Sequence, residues 1–285
     1  MSLDLDERQR AMLQEMGVRV WLPTVVAPES PVIAIVNIAV DAITTGAAAL
    51  KISEVRLPER AVTRPTQLAA PATPAVLAAL AEGIANMDWP ALAQTVATCQ
   101  ACKLCTGRRA SVFGGTEAPG PADWLLVGEP PDEAEERLGA PFADQAGLLL
   151  DNMLKAVGVS RRGADGGGAA KAYVTNVVKC RPAAVRNPEP QELAVCETYL
   201  QREVALVQPK VILALGRFAA QTLLKGSLSE GASIPLGKLR GQIYRYQGIP
   251  VVVTYHPTYL LRTPQDKARA WADWCLALDA MQRGK

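Results

Sequence analysis

The chain is short of features that would classify it at once. Its 285 residues carry 30 basic and 28 acidic side chains, a net charge of +2. That balance gives neither strong attraction to a polyanion nor repulsion from it, so any contact with nucleic acid must come from a local basic face. No cationic start followed by an apolar run suggests a signal peptide. Val32–Val40 is too short and too interrupted to cross a bilayer. These absences predict a cytoplasmic address, where six cysteines read as thiols or metal ligands rather than disulfides. No GK[ST] or GxGxxG frame marks a phosphate cradle, so the glycines within Arg162–Ala170 read as a surface insertion. There is one histidine, His256, and only one close cysteine pair, Cys99 and Cys102. Zinc sites usually come as two close pairs.

What is present divides into three textures. Met1–Pro23 pairs an expected helix, Asp6–Met16 with Gly17 as its C-cap, with Gly17-Val-Arg-Val-Trp21. Residues 24–74 are rich in Ala, Pro and Thr, and Arg64-Pro-Thr-Gln-Leu-Ala-Ala-Pro-Ala-Thr-Pro74 reads as a semi-stiff linker. Within it, Val32–Val40 fits a strand or a short buried helix equally well. Residues 75–285 alternate apolar runs with helical patterns. Trp124–Val127, Ala172–Val178, Val211–Leu215 and Pro250–Tyr255 suit buried parallel strands. Ala146–Val157, Glu192–Val207, Arg217–Leu224 and Lys267–Met281 suit helices. The alternation predicts an α/β fold, a three-layer α/β/α sandwich around a four-stranded, mainly parallel sheet. Ligands in such sheets sit beyond the carboxyl ends of the strands. The Gly128 block, Asn176 and His256 all fall there.

Four cysteines, Cys99, Cys102, Cys180 and Cys196, form a sulfur-only set that suits zinc or an iron–sulfur cluster. The alternative is that Cys180 and Cys196 are small buried apolar residues. Their company is specific. Cys180 lies in Thr175-Asn-Val-Val-Lys-Cys-Arg-Pro182, His256 opens His256-Pro-Thr-Tyr-Leu-Leu-Arg262, and a third block runs from Gly128-Glu-Pro-Pro-Asp132 to Gly139-Ala-Pro-Phe-Ala-Asp-Gln-Ala-Gly147. In this order the blocks resemble the iron–sulfur uracil-DNA glycosylases, over roughly Trp89 to Leu278.

The resemblance implies a [4Fe–4S] cluster on Cys99, Cys102, Cys180 and Cys196. The family pattern CxxCxL followed by an arginine fits Cys99-Gln-Ala-Cys102-Lys-Leu104 and Arg108. Cys105 is then a bystander, and Cys275 a core residue. It further implies that Phe142 stacks on a flipped base and that Asn176 reads its edge. His256 would donate to the developing oxyanion, and Glu129, with Glu135, would place the water. Lys179, Arg181 and Arg262 would contact phosphate. Each has an ordinary reading beside it: core for Phe142, a cap for Asn176, solvated charges for the acids and bases. Three positions depart from the family pattern: Asp132 and Asp144 stand where glycines are usual, and Val185 where a polar amide is usual.

The implied activity is hydrolysis of the N-glycosidic bond of deoxyuridine in DNA by a monomer. The rival is a weakly active or inactive adaptor of the same fold that binds DNA or the replication machinery. The latter draws on Arg8–Trp21, which resembles the opening of the psi subunit of the bacterial clamp loader and implies a docking peptide at residues 1–23.

Overall fold

The computed structural model describes residues 74–114, 120–161, 170–183, 186–227 and 234–283. The expected N-terminal helix, the docking peptide, the linker, nearly all of the Arg162–Ala170 insertion and the departure at Val185 lie outside the described residues.

Six strands form one sheet: β1 (Trp124–Gly128), β2 (Val159–Ser160), β3 (Ala170–Asn176), β4 (Val211–Leu215), β5 (Ile243–Tyr246) and β6 (Ile249–Thr254). Their order is β2-β3-β1-β4-β6-β5, all pairs parallel except β5 with β6. The α/β sandwich is as expected; the strand number is not, because two strands flank the predicted four. β2 has only two residues. β5 has partly exposed side chains and carries Arg245, so it shows no apolar run. Its signal was the turn after it, where Gln247 and Gly248 both take positive φ, 51° and 82°. Two such residues make the tight hairpin turn whose twist matches antiparallel strands. β3 also ends two residues earlier than the apolar run, leaving Val177 and Val178 to the loop beyond it.

Side chains alternate across the strands, as a pleated sheet requires. Leu125, Val127, Ile212, Ala214, Val251 and Val253 face one core; Trp124, Leu126, Leu213, Leu215 and Val252 face the other. The first core is covered by α1 (Pro74–Ala85), α2 (Trp89–Thr98), α5 (Pro190–Val207) and α6 (Arg217–Leu224). The second is covered by α4 (Gln145–Ala156), α8 (Pro257–Arg262) and α9 (Lys267–Arg283). Cys180 and Cys196 lie in the first core, with Cys99 and Cys102 packed on it, whereas half-buried Cys275 packs against the second. Two short helices, α3 (Glu133–Leu138) and α7 (Leu236–Leu239), lie on connecting segments.

Both acids that replace glycines are helix caps. Asp132 has φ −92° and accepts the Glu135 N–H while Glu135 reaches back to the Asp132 N–H, a capping box that starts α3. Asp144, at φ −124°, accepts from the Ala146 N–H at 2.9 Å and starts α4. Neither backbone needs glycine. Asp132→Ala should lower stability by about 1 kcal/mol, the usual cost of losing an N-cap, measured as a fall in the urea midpoint with unchanged slope.

Candidate active site

Strand register brings the predicted residues to one end of the sheet. Gly128 at the end of β1 pairs with Asn176 at the end of β3, and His256 follows β6 by two residues. Beyond these ends lies a cavity of about 720 Å³, whose walls include Glu129, Glu135, Arg217, His256 and Arg262. Phe142 and Asn176 are not among its lining residues; both are buried against residues that are.

Glu135 joins the parts. Its Oε2 accepts the Asp132 N–H at 2.8 Å, and its Oε1 accepts both the Phe142 N–H at 2.6 Å and the Asn176 amide at 3.2 Å. Burial raises the pKa of this carboxyl, and those three donors oppose the rise. A carboxylate so engaged positions its neighbours, and with about four lone-pair sites it keeps acceptor capacity at the cavity wall.

Phe142 has φ 54°, rare for a bulky residue and costing about 1–3 kcal/mol unless the surroundings enforce it. Here they do. Its N–H is held by Glu135 and its carbonyl accepts from Arg161 Nη1 at 3.1 Å, while Asp151 anchors the Arg161 guanidinium. The Phe142 ring stacks on His256, centroids 5.2 Å apart and planes 24° from parallel. Gly128 permits this: a Cβ there would stand 2.6 Å from the Phe142 ring.

Asn176 uses its amide donors on the protein. Nδ2 donates to the Glu129 carbonyl at 2.9 Å and to Glu135, whereas Oδ1 is buried and has no partner among the described residues. A buried acceptor left this way costs about 1–3 kcal/mol.

His256 caps α8, its Nδ1 accepting the Thr258 N–H at 3.3 Å. With Nδ1 an acceptor, the ring proton of the neutral form must sit on Nε2. Burial lowers the pKa to about 4, with Asp144 raising and Arg262 lowering it in smaller measure, so the ring is neutral near pH 7.

Glu129 accepts the Phe218 N–H at 2.8 Å at the start of α6. Burial nonetheless pushes its carboxyl up to about 7, against the Phe218 and Ala219 amides and Arg217. Sequence reasoning missed Gly216, which has φ 107° and where a Cβ would stand 2.3 Å from Glu129 Oε1. A glycine directly after the β4 run was the available signal. Arg161 gave none.

The three expected phosphate contacts separate. Lys179 is corrected: only 2% exposed, its Nζ donates to Glu203 Oε2 at 2.6 Å, to Thr175 Oγ1 and to the Asn176 carbonyl, so it cannot reach DNA. The family resemblance implied a phosphate contact there, and the sequence gave no sign of its partner Glu203 on α5. Arg181 is half-buried and paired with Glu133 and Glu136 at 3.5 and 3.4 Å. Arg262 is exposed at the cavity wall.

The cysteines gather around the start of α5. Arg108 Nη1 donates to Cys180 Sγ at 3.2 Å. Burial raises the pKa of the Tyr199 hydroxyl, and Cys99 adds to the rise. Burial pushes the Cys102 thiol up to about 12, and Cys180 and Cys99 act in the same direction. Burial likewise raises Cys180 and Cys196, with Cys99 adding to the first and Cys180 to the second. Among the described residues, no three His, Cys, Asp or Glu side chains close on a single metal ion.

Comparison with known proteins agrees with the geometry. Residues 115–275 match the model of the uracil DNA glycosylase superfamily. The chain is 36% identical over 184 residues to a type-4 uracil-DNA glycosylase of Saccharolobus solfataricus, covering 63% of this chain and 79% of that protein. It is 35% identical over 179 residues to one of Thermotoga maritima, covering 62% and 85%. A type-5 uracil-DNA glycosylase of Pyrobaculum aerophilum is 34% identical over 113 residues, 40% of this chain and 47% of that protein.

Gly128→Ala should force the Phe142 ring off His256. The expected cost is about 1–3 kcal/mol, the range for overpacking, with loss of the ring-current shift of the His256 Hε1 proton. An unchanged shift would show that the stack does not depend on Gly128.

Proposed function

The chain belongs to the uracil DNA glycosylase superfamily, and from that premise we propose that it hydrolyses the N-glycosidic bond of deoxyuridine in DNA. The observation that carries this reading is the unpartnered Oδ1 of Asn176, a buried acceptor beside the cavity. Uracil presents an N3–H donor that fits it; cytosine has no proton on N3 and would leave it unpaired. For the base to enter, the Phe142 ring parts from His256 and stacks on the uracil instead. The C1′–N1 bond then breaks and its electron pair passes to the uracil. The Nε2–H of neutral His256 donates to the resulting oxyanion. Glu129 orients the water that adds to C1′ and takes its proton, which requires the ionised carboxyl. Arg262, and Arg181 once freed from its acids, would meet phosphate. Asp132 and Asp144 favour this reading over an inactive adaptor, since both sit in ordinary backbone and build caps.

The donor set fits a [4Fe–4S] cluster held by Cys99, Cys102, Cys180 and Cys196. Only sulfur is offered, the thiols resist ionisation without a positive partner, and Arg108 supplies part of one. Bound there, the cluster would supply structural cross-linking between α2, the loop after β3 and α5. No described helix is long and apolar enough to cross a membrane, and a cytoplasmic repair enzyme suits the whole reading. Residues 75–285 would form the glycosylase domain. Clamp-loader docking by residues 1–23 rests on the sequence resemblance alone.

The test is incubation of the full chain with uracil-containing DNA, followed by alkaline cleavage at abasic sites. Its kcat/KM should rise with pH through about 7 as Glu129 ionises, and Glu129→Gln should remove that limb. No abasic product from iron-loaded protein overturns the proposal. A separate measurement addresses the cluster. Protein purified without oxygen should carry about four irons per chain, lost on Ser substitution of Cys99, Cys102, Cys180 or Cys196 and kept in Cys105→Ser and Cys275→Ser. Stoichiometric zinc would overturn it.

A further inference from the structure

Lys179 is attached to three parts of the molecule at once. Its carbonyl accepts the Val112 N–H at 2.7 Å. Its Nζ donates to the Asn176 carbonyl at 3.0 Å, to Thr175 Oγ1 and to Glu203 Oε2. Glu203 is completely buried, and its other oxygen accepts from the Tyr173 hydroxyl at 2.8 Å and from Thr175 Oγ1 at 3.0 Å. Cys196 and Glu203 stand seven residues apart on α5, two helical turns, and so share one face. That face holds the Lys179 side chain through Glu203, two turns from Cys196.

A buried ion pair is a poor device for stability alone. Apolar side chains of similar volume often stabilise a core as well or better. They could not bind the carbonyl of Asn176, which lies where β3 leaves the sheet. A phosphate role is closed to Lys179 by its burial. We propose that the Lys179–Glu203 pair is a positioning device for the reaction, fixing the backbone of Asn176 against α5 so that the Asn176 acceptor stays where the base must meet it. The inference rests on the glycosylase reading for its kinetic consequence but not for its structural one.

The test compares the full-length Lys179→Met/Glu203→Leu protein with wild type, by thermal midpoint, iron content, hydrogen exchange of the peptide spanning residues 174–180, and steady-state kinetics on uracil DNA. The apolar pair strands no charge, so midpoint and iron content should match wild type. Exchange at 174–180 should nevertheless accelerate roughly tenfold, a local loosening without global unfolding. Turnover should fall roughly a hundredfold, the scale of a misplacement of about 1 Å, with KM for DNA little changed. In an Asn176→Ala background the same pair of changes should lower kcat no further. Wild-type exchange together with wild-type kcat would show that the pair serves packing alone and overturn the proposal, as would a full additional loss in the Asn176→Ala background. If the double variant fails to fold, Thr175→Val, which removes one bond to Lys179 and one to Glu203 without stranding either charge, takes its place. It should raise exchange and lower kcat, and no change in either overturns the proposal. A wild type without activity defeats the glycosylase reading, while the exchange measurement still decides the positioning role.

Discussion

The end of the sheet depends on one carboxylate oxygen. Glu135 Oε1 holds the backbone of Phe142 in a conformation that a bulky residue avoids, and it holds the Asn176 amide so that its acceptor is the free group. The other oxygen closes the capping box of α3 and so fixes where Glu135 itself stands. Remove this one group and three things lose support together: a strained turn, an amide orientation and a helix start. Two carboxylates after β1, Glu129 on the loop and Glu135 in α3, thus diverge in role. Both line the cavity and burial raises both, but Glu135 accepts from three donors of the chain that oppose its rise, whereas Glu129 is displaced to about 7. Distance from the cavity does not separate them; hydrogen bonding does.

A second order runs along α5. Glu192, Cys196, Tyr199 and Glu203 recur at helical spacing on a buried face that would ordinarily be apolar. Glu192 pairs with Arg186 and Glu203 with the Lys179 side chain, while Cys196 lies in the first core beside Cys180. Satisfied buried networks of this kind specify one arrangement of a core rather than merely stabilising it. The helix is the common wall between the sulfur site and the strand that ends at Asn176. It connects the two through bonded atoms rather than through proximity.

Much of this was legible in the sequence. Four apolar runs gave the central strands, and the principle that sites lie past strand ends gathered Gly128, Asn176 and His256 before any coordinates. What was hidden has physical causes. β5 is a half-exposed edge strand, and its polar residues removed the apolar signal that a buried strand carries. Lys179 looked like a surface charge because its partner lies twenty-four residues away on a helix face, a pairing that only tertiary structure creates. The glycine-to-aspartate departures looked harmful because the pattern suggested a need for backbone freedom. The observed φ angles, −92° and −124°, show that no such freedom is required and that the acids serve as caps.

The chemistry follows from two groups displaced in opposite directions. Burial is the largest cause for both: it raises Glu129 to about 7 and lowers His256 to about 4. From about pH 4.5 to 7 the folded chain keeps a proton on Glu129 that the unfolded chain releases, so this group favours unfolding increasingly as the pH rises. From about 4 to 6.5 the unfolded chain binds a proton on His256 that the folded chain refuses, so this group favours folding increasingly as the pH rises. The slopes oppose one another where the windows overlap, so the pH dependence that these two groups give to stability largely cancels there. Function is not so balanced. Above pH 7 the site holds an ionised acceptor at Glu129 and a neutral N–H donor at His256, a base and a hydrogen-bond donor on the walls of one cavity. Environments that separate two pKa values in this way suit the proposed roles, in which the carboxylate would take a proton from water and the imidazole would stabilise a leaving anion without first acquiring a charge.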